Sequence, residues 1–189
     1  MTAAMSDMPH ADGWTTDDLD ALPDDGVRRE LLDGVLLVSP SPTDVHQIIA
    51  MRLGVALEDS CPPEFQVTQG VEVRLSTRRS FIPDVLVATE QAARRRSGIY
   101  APHEVVLAVE IVSPTSVSMD RITKPALYAA AGIPHYWIVE SDPGLAVQAY
   151  QLDAGAGIYR PAGTFEAEIA VPEPWPIAIS IKKLTPRFL

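Results

Sequence analysis

Two acidic residues of this chain lie inside or beside apolar stretches, where a carboxylate needs a partner. Residues 105–112 read VVLAVEIV, and Glu110 is their only charged member. An ionised carboxylate buried without a partner is costly, so folded proteins usually pair it, protonate it or bind it to a metal. Asp84 likewise precedes an apolar run at residues 85–87. If these stretches form neighbouring strands with inward acids, the two carboxylates meet at one point.

Paired carboxylates of this kind suit a hard cation. Mg²⁺ binds through one or two carboxylates and keeps several waters, whose places a phosphate substrate can take. A cation held in this way stabilises the charge of a phosphodiester under attack and acidifies a bound water. Asp84 and Glu110 are therefore candidate metal ligands, with Mg²⁺ as the expected ion and Mn²⁺ as its substitute. The alternative for Asp84 alone is an exposed strand end or a pair with a nearby arginine.

A helix expected over residues 120–131 brings a lysine toward these acids. Asp120, Lys124 and Tyr128 are spaced four residues apart, which places them on one helical face. Pro125 is compatible with this helix if the regular part begins just before Lys124. A lysine in that first turn can reach the carboxylates and assist the attacking water or the developing phosphate charge. The alternative is a structural Lys–Asp pair on the surface.

The elements that must position these residues follow from apolar periodicity and turn signals. The fold class is α/β, bordering on α+β, with a mixed sheet flanked by helices. Residues 1–13 are predicted to be a disordered leader, and residues 14–189 a single domain with a core at about 28–152 and a C-terminal β extension at 153–189. Helices are expected at 15–22, 41–60 and 120–131, a hairpin at 27–40, and strands at 65–76, 81–89, 104–113, 135–141, 145–152 and near 157–160, 164–170 and 176–182.

Composition narrows the class of protein. The 189 residues carry a formal charge of −10, which argues against broad, nonspecific binding of polyanions. The single cysteine, Cys61, excludes an internal disulfide framework and a metal site built from cysteines. No apolar run approaches the roughly 20 residues of a membrane span, and the N-terminus lacks a signal-peptide pattern. A cytoplasmic soluble protein is expected.

Positive charge is concentrated in one part of the chain, the arginine-rich segment from Arg74 to Arg96. It contains six arginines and two acids. One interpretation is a solvated loop. The other is a basic rim that contacts phosphates beside the carboxylates, with Arg78 and Arg79 as candidate substrate contacts. Charge alone does not decide between them.

The order of these motifs resembles a known family. Residues 82–85 (IPDV) and 108–140 (AVEIVSPTSVSMDRITKPALYAAAGIPHYWIVE), with the upstream residues 28–47 (RRELLDGVLLVSPSPTDVHQ), are similar to the Uma-type family of putative restriction endonucleases. That family belongs to the PD-(D/E)xK nuclease superfamily. The resemblance extends from about Arg28 to Leu152.

The resemblance implies a restriction-endonuclease-like mixed sheet and Mg²⁺-dependent hydrolysis of DNA by a metal-activated water. Asp84 and Glu110 would hold the metal, and Glu30 would be an additional acid. The superfamily's usual lysine stands two residues after the glutamate, where this chain has Val112; Lys124 from the following helix would take its place. His46 and Tyr128 would be candidate substrate contacts.

A second hypothesis is a catalytically silent nuclease fold that serves as a binding or regulatory module, as a dimer. The acidic net charge, Val112 and Pro125 favour it. Strand edges in the proline-rich C-terminal region could pair with a second copy, which also makes a homodimer the expected assembly of a nuclease. The two hypotheses differ in whether Glu30, Asp84, Glu110 and Lys124 converge within the reach of metal ligands.

Overall fold

The structure is a computed structural model that describes residues 12–114 and 116–188. Almost all of the predicted leader at residues 1–13 lies outside the described residues. The helices are α1 (Thr16–Asp20), α2 (Asp44–Glu58), α3 (Glu90–Ala93), α4 (Lys124–Ala130) and α5 (Ile181–Leu184). The strands are β1 (Arg29–Leu32), β2 (Val35–Val38), β3 (Phe65–Thr68), β4 (Glu72–Ser76), β5 (Arg79–Phe81), β6 (Val85–Thr89), β7 (Ile99–Tyr100), β8 (Val105–Ile111), β9 (His135–Glu140), β10 (Ala146–Asp153), β11 (Ile158–Phe165), β12 (Glu168–Val171) and β13 (Ile177–Ser180).

A six-stranded mixed sheet forms the centre of the fold. Its order is β11-β10-β9-β8-β6-β3, in which β8 and β9 run parallel and the other neighbours antiparallel. A second sheet has the order β2-β1-β5-β4-β7, and β12 pairs with β13 in a hairpin. The predicted mixed sheet flanked by helices is confirmed. In the part of the chain that the structure describes, no helix is both long and apolar enough to cross a membrane.

Strand β8 is covered on both faces, which explains why its sequence lacks alternation. All seven of its residues are buried. Val109 and Ile111 pack in one hydrophobic cluster with α2, while Ala108 packs in another with Tyr128 of α4. Because side chains alternate between the faces of a strand, Glu110 lies on the same face as Ala108, toward α4.

Two short signals in the sequence explain local structure. The β1–β2 hairpin turns at Asp33 and Gly34, whose φ angles are 52° and 82°. A two-residue turn with positive φ at both positions favours Asp-Gly, and a side chain at Gly34 would collide with the guanidinium of Arg78. Helix α2 begins after Thr43, whose hydroxyl accepts from the backbone N–H of His46 at 3.3 Å.

The helix expected at 120–131 is divided in the structure. Residues Met119–Thr123 form a π-helical turn, and the regular α4 begins at Lys124 with Pro125 in its first turn. Proline lacks the N–H that would continue an α-helical ladder back to Arg121, so the wider turn precedes it. As the sequence predicted, the regular helix begins late enough for Pro125 to fit in its first turn together with Lys124.

Two apolar stretches are each divided between the sheets: residues 65–76, predicted as a strand or a strand pair, and residues 81–89, predicted as one strand. The stretch at 65–76 becomes β3 in the six-stranded sheet and β4 in the other, separated by Gly70 at φ 65°. The stretch at 81–89 becomes the end of β5 and then β6, with Pro83 between them. Proline cannot donate to a ladder, so the chain changes sheets at this point. That change leaves Asp84 at the junction of the two sheets.

Candidate active site

Asp84 and Glu110 are neighbours across two antiparallel strands. Val85 of β6 pairs with Val109 of β8, and the backbone N–H of Asp84 donates to the carbonyl oxygen of Val109 at 3.0 Å. The carboxylate of Asp84 also accepts from the backbone N–H of Ile111 through Oδ2 at 2.8 Å. Residues directly opposite each other on an antiparallel pair have adjacent side chains on one face. The end of this ladder and the two hydrogen bonds of Asp84 to Val109 and Ile111 therefore place Asp84 beside Glu110.

Lys124 brings three acids to one ammonium group. Its Nζ lies 3.0 Å from Oε2 of Glu110, 3.4 Å from Oδ1 of Asp120 and 3.5 Å from Oε1 of Glu30. The lysine is itself buried, at the start of α4. Glu30 comes from β1 of the second sheet, and its Oε1 also accepts from the backbone N–H of Ile82 at 2.8 Å. The two sheets and α4 thus meet at this lysine.

Arg28 and His46 complete the arrangement at Asp84. Nη1 of Arg28 lies 3.0 Å from Oδ1 of Asp84, and Nε2 of His46 lies 3.1 Å from Oδ2. Arg28 also donates to the carbonyl oxygen of Ile82. We call the connected set the carboxylate cluster; its members are Arg28, Glu30, His46, Asp84, Glu110, Asp120 and Lys124.

Of the three other predicted substrate contacts, Tyr128 lies behind the cluster, and Arg78 and Arg79 lie away from it. The hydroxyl of Tyr128 donates to Oε1 of Glu110 at 3.0 Å, and the ring is fully buried behind that carboxylate. Arg78 donates to the carbonyl oxygen of Asp33 at 3.1 Å, and Nε of Arg79 donates to the carboxylate of Asp33 at 2.5 Å. Asp33 follows Glu30 by three residues, about 10 Å along a strand. The structure does not bring these two arginines to the cluster.

Comparison with known proteins agrees with the predicted family. The Uma2 family, described as "Putative restriction endonuclease", matches residues 16–183. The chain belongs to the Uma2 family. A solved structure described as a putative nuclease belonging to DUF820 from Anabaena variabilis has a TM-score of 0.66 and 18% identity, and the match covers 90% of this chain and 96% of that chain. No curated protein matches this chain. Family and fold together support a nuclease.

Within the carboxylate cluster of this Uma2 protein, the pKa values of Asp84 and Glu110 are shifted in opposite directions. Burial would raise the pKa of Asp84, but the hydrogen bond and charge of His46, with the charge of Arg28, lower it to about 2. Complete burial raises the pKa of Glu110 well above its usual range; Lys124 opposes this rise, and the charges of Asp84, Asp120 and Glu30 add to it. Asp84 is therefore firmly ionised, whereas Glu110 holds a proton far more readily.

Lys124 keeps its charge despite its burial. Burial would lower the pKa of its ammonium, but the charges of Glu110, Glu30 and Asp120 raise it above the usual value. The cluster thus contains four carboxylates and two permanent cations, Arg28 and Lys124, with His46 beside them. This excess of negative charge gives the cluster capacity for a further proton or a hard cation.

The donor chemistry fits Mg²⁺ at Asp84 and Glu110. No group of three or more His, Cys, Asp or Glu is arranged to hold a metal within residues 12–114 and 116–188. Mg²⁺ does not need such a group, since one or two carboxylates suffice when waters complete the octahedron. Two adjacent carboxylates with surplus negative charge meet that requirement.

The cluster is more exposed to solvent at one end, which we call the open end, than at the other. The side chains of Arg28 and His46 are 29% and 12% exposed, whereas that of Glu110 is 2% exposed. The open end therefore lies at Arg28 and His46, beside Asp84. Glu110, Lys124 and Tyr128 form the closed end.

Sequence reasoning gave no role in the site to two members of the cluster, Arg28 and Asp120. Arg28 comes directly before β1 and two residues before Glu30, a spacing that puts both side chains on one side of an extended chain. That spacing is a signal that could have identified Arg28. Asp120 was placed on the face of Lys124, and its contact with the ammonium follows from the spacing of four.

Proposed function

We propose that this Uma2 protein is a divalent-metal-dependent endonuclease that hydrolyses phosphodiester bonds of DNA, with Mg²⁺ as the ion and Mn²⁺ as a substitute. The supporting observation is that Asp84 adjoins the Val85–Val109 pair and accepts from the N–H of Ile111, beside Glu110, with Nζ of Lys124 at 3.0 Å from Glu110. A structural ion pair needs one acid for each cation, and this cluster has more acids than cations. Family membership makes DNA the substrate to test first.

Each residue has a role that follows from its contacts. Asp84 and Glu110 would hold the cation, which supplies a Lewis acid for the phosphodiester and the attacking water. Lys124 orients Glu110 and places a fixed positive charge where phosphate charge develops. Glu30 orients Lys124 and ties β1 to the site. Tyr128 fixes the other oxygen of Glu110.

Substrate contacts belong to the open end of the cluster. His46 lies there beside Asp84 and is placed to meet a phosphate or base. Arg78 and Arg79 would contact phosphates only by giving up their bonds to Asp33. We therefore assign the nearer contact to His46.

A second candidate function is a silent nuclease fold that binds a partner, as a homodimer or otherwise. The observation that favours it is that the acid oxygens already have partners within the protein. Both oxygens of Asp84 and both of Glu110 are hydrogen-bonded or ion-paired. Val112 also stands where the superfamily has its lysine. Such a network could stabilise the fold without a metal.

Cleavage of supercoiled plasmid DNA separates these two functions. Wild type is expected to nick the plasmid in Mg²⁺ or Mn²⁺ and not in EDTA. Asp84→Asn, Glu110→Gln and Lys124→Met are each expected to lose at least about a hundredfold in rate, since each removes a ligand or the charge beside it. Asp153→Asn is the matched control, because Asp153 pairs with Arg160 on an exposed hairpin.

The outcome that contradicts the nuclease proposal is equally specific. Cleavage that persists at the wild-type rate in Asp84→Asn and Glu110→Gln would come from a contaminant. A complete lack of cleavage across plasmid, linear and single-stranded DNA would favour the binding module. Circular dichroism of each variant verifies that it is folded.

A further inference from the structure

Arg28 occupies the oxygen of Asp84 that is left for a metal. Oδ2 of Asp84 is already engaged by Nε2 of His46 at 3.1 Å and by the backbone N–H of Ile111 at 2.8 Å. Oδ1 has Nη1 of Arg28 at 3.0 Å. Nη2 of the same guanidinium lies 3.6 Å from Oε1 of Glu30. The guanidinium thus bridges acids from both sheets at the open end of the cluster.

A guanidinium and a divalent cation cannot share this oxygen without repulsion. A divalent ion on Oδ1 would share that oxygen with Nη1 of Arg28, which lies only 3.0 Å from it. Two like charges beside one oxygen, partly shielded from water, oppose each other strongly. Arginine does not relieve the conflict by losing a proton, as a lysine or histidine can. Either the guanidinium moves away or the ion binds weakly.

The surroundings of Arg28 allow it to move. Its side chain is the most exposed of the cluster's ion-paired members, so its path to solvent is open. Among the buried side-chain polar atoms of the described residues, Nε of Arg28 alone has no hydrogen-bond partner. A buried donor without a partner costs free energy, so the inward position depends on the acids it contacts.

We propose that Arg28 is an internal competitor of the divalent cation: its guanidinium and the ion use the same oxygen of Asp84, and Arg28 thereby sets the metal affinity of the site. This inference rests on the proposed metal-dependent function. If Arg28 only supported the site, its removal would weaken metal binding. As a competitor of the ion, Arg28 should instead strengthen metal binding when it is removed.

Calorimetric titration with Mn²⁺ and with Mg²⁺, without DNA, tests the competition. Arg28→Gln and Arg28→Met are expected to bind the ion about tenfold more tightly than wild type, because a unit charge beside the ion is gone. Arg28→Lys, which keeps the charge, is expected to change the affinity less. Arg29→Gln is the matched control, since Arg29 follows Arg28 in the chain as the first residue of β1 and donates to Asp25 outside the cluster.

Thermal unfolding gives a second reading that does not depend on activity. In EDTA, Arg28→Gln is expected to melt below wild type, because its acids have lost a cation. Addition of Mn²⁺ is expected to raise its midpoint by more than it raises that of wild type. Arg28→Met, which keeps the alkyl packing, serves if Arg28→Gln does not fold.

The possible results separate this inference from the proposed function. If wild type binds metal and both Arg28→Gln and Arg28→Met bind it equally or more weakly, Arg28 is a supporting residue and the competition is wrong. If neither wild type nor these variants bind metal, the proposed function fails and the competition fails with it.

Discussion

The carboxylate cluster and the arginine-rich segment both contain many charged residues, but those of the cluster are mostly buried and those of the segment are mostly exposed. In the segment, arginines pair with nearby acids at the surface, as Arg94 does with Glu90 and Arg95 with Glu104. The side chain of Arg94 is 74% exposed. In the cluster, acids outnumber the permanent cations and all the acids are buried or nearly so. Charge density in a sequence therefore does not predict a buried charge cluster, whereas a charge inside an apolar strand does.

The largest expected difference between the two regions is in the cost of removing a cation. Lys124→Met should lower the free energy of unfolding by about 3–5 kcal/mol, because it leaves buried acids uncompensated. Arg95→Met should cost far less, because its guanidinium is exposed and its pair with Glu104 lies at the surface. Urea unfolding of both variants measures this. Equal costs would mean that the cluster is as solvated as the segment.

The next largest loss of stability is expected when the neutral hydroxyl of Tyr128, which donates to Glu110, is removed. Tyr128→Phe removes the hydroxyl that donates to Glu110 and should cost about 1–3 kcal/mol, as expected for a buried acceptor left unsatisfied. Tyr150→Phe, which removes a bond to Gln148 near the surface, is the matched control and should cost less. A reversed order would show that Glu110 gains nothing from Tyr128.

The pKa values of His46 and His135 compare a buried histidine that is ion-paired with an acid of the cluster and one that lies outside the cluster. Burial would lower the pKa of His46, but its hydrogen bond and ion pair with Asp84 raise it above its usual value. Burial lowers the pKa of His135, and Glu173 only partly opposes this. NMR titration should show His46 titrating above His135, and Asp84→Asn should lower the former alone.

The sign of the stability effect follows from these directions. The His46–Asp84 pair stabilises the fold fully below the unfolded pKa of about 6.5 and ceases to do so as the pH rises through the raised folded pKa. His46→Gln should therefore destabilise the protein more at pH 6 than at pH 9. The same destabilisation at both pH values would contradict the ion pair.

The smallest effect is expected in the arginine-rich segment. Arg94→Gln should change the free energy of unfolding by no more than about 0.5 kcal/mol, because an exposed i, i+4 pair contributes little. Added salt should reduce even that difference. A cost above about 1 kcal/mol, measured by urea unfolding, would place this segment among the structural ion pairs.

Local signals made much of the fold and part of the site predictable. Asp33-Gly34 specified its turn, and the acid within residues 105–112 marked the buried strand. The change of sheet at Pro83 was not predictable, because an apolar run does not reveal which sheet it joins. The contact of Arg28 with Asp84 depends on that change, since it joins residues 56 positions apart. Pairings between distant strands are set by the whole fold rather than by a local pattern.

The most direct test of the central claim, that Asp84 and Glu110 form one metal site, is calorimetric titration of the protein with Mn²⁺ and Mg²⁺. Wild type should bind the ion, and Asp84→Ala and Glu110→Ala should each abolish binding while Asp153→Asn leaves it intact. Wild type that binds no metal even with DNA present would contradict the account. The carboxylate cluster would then be an ion-pair network that stabilises a binding module.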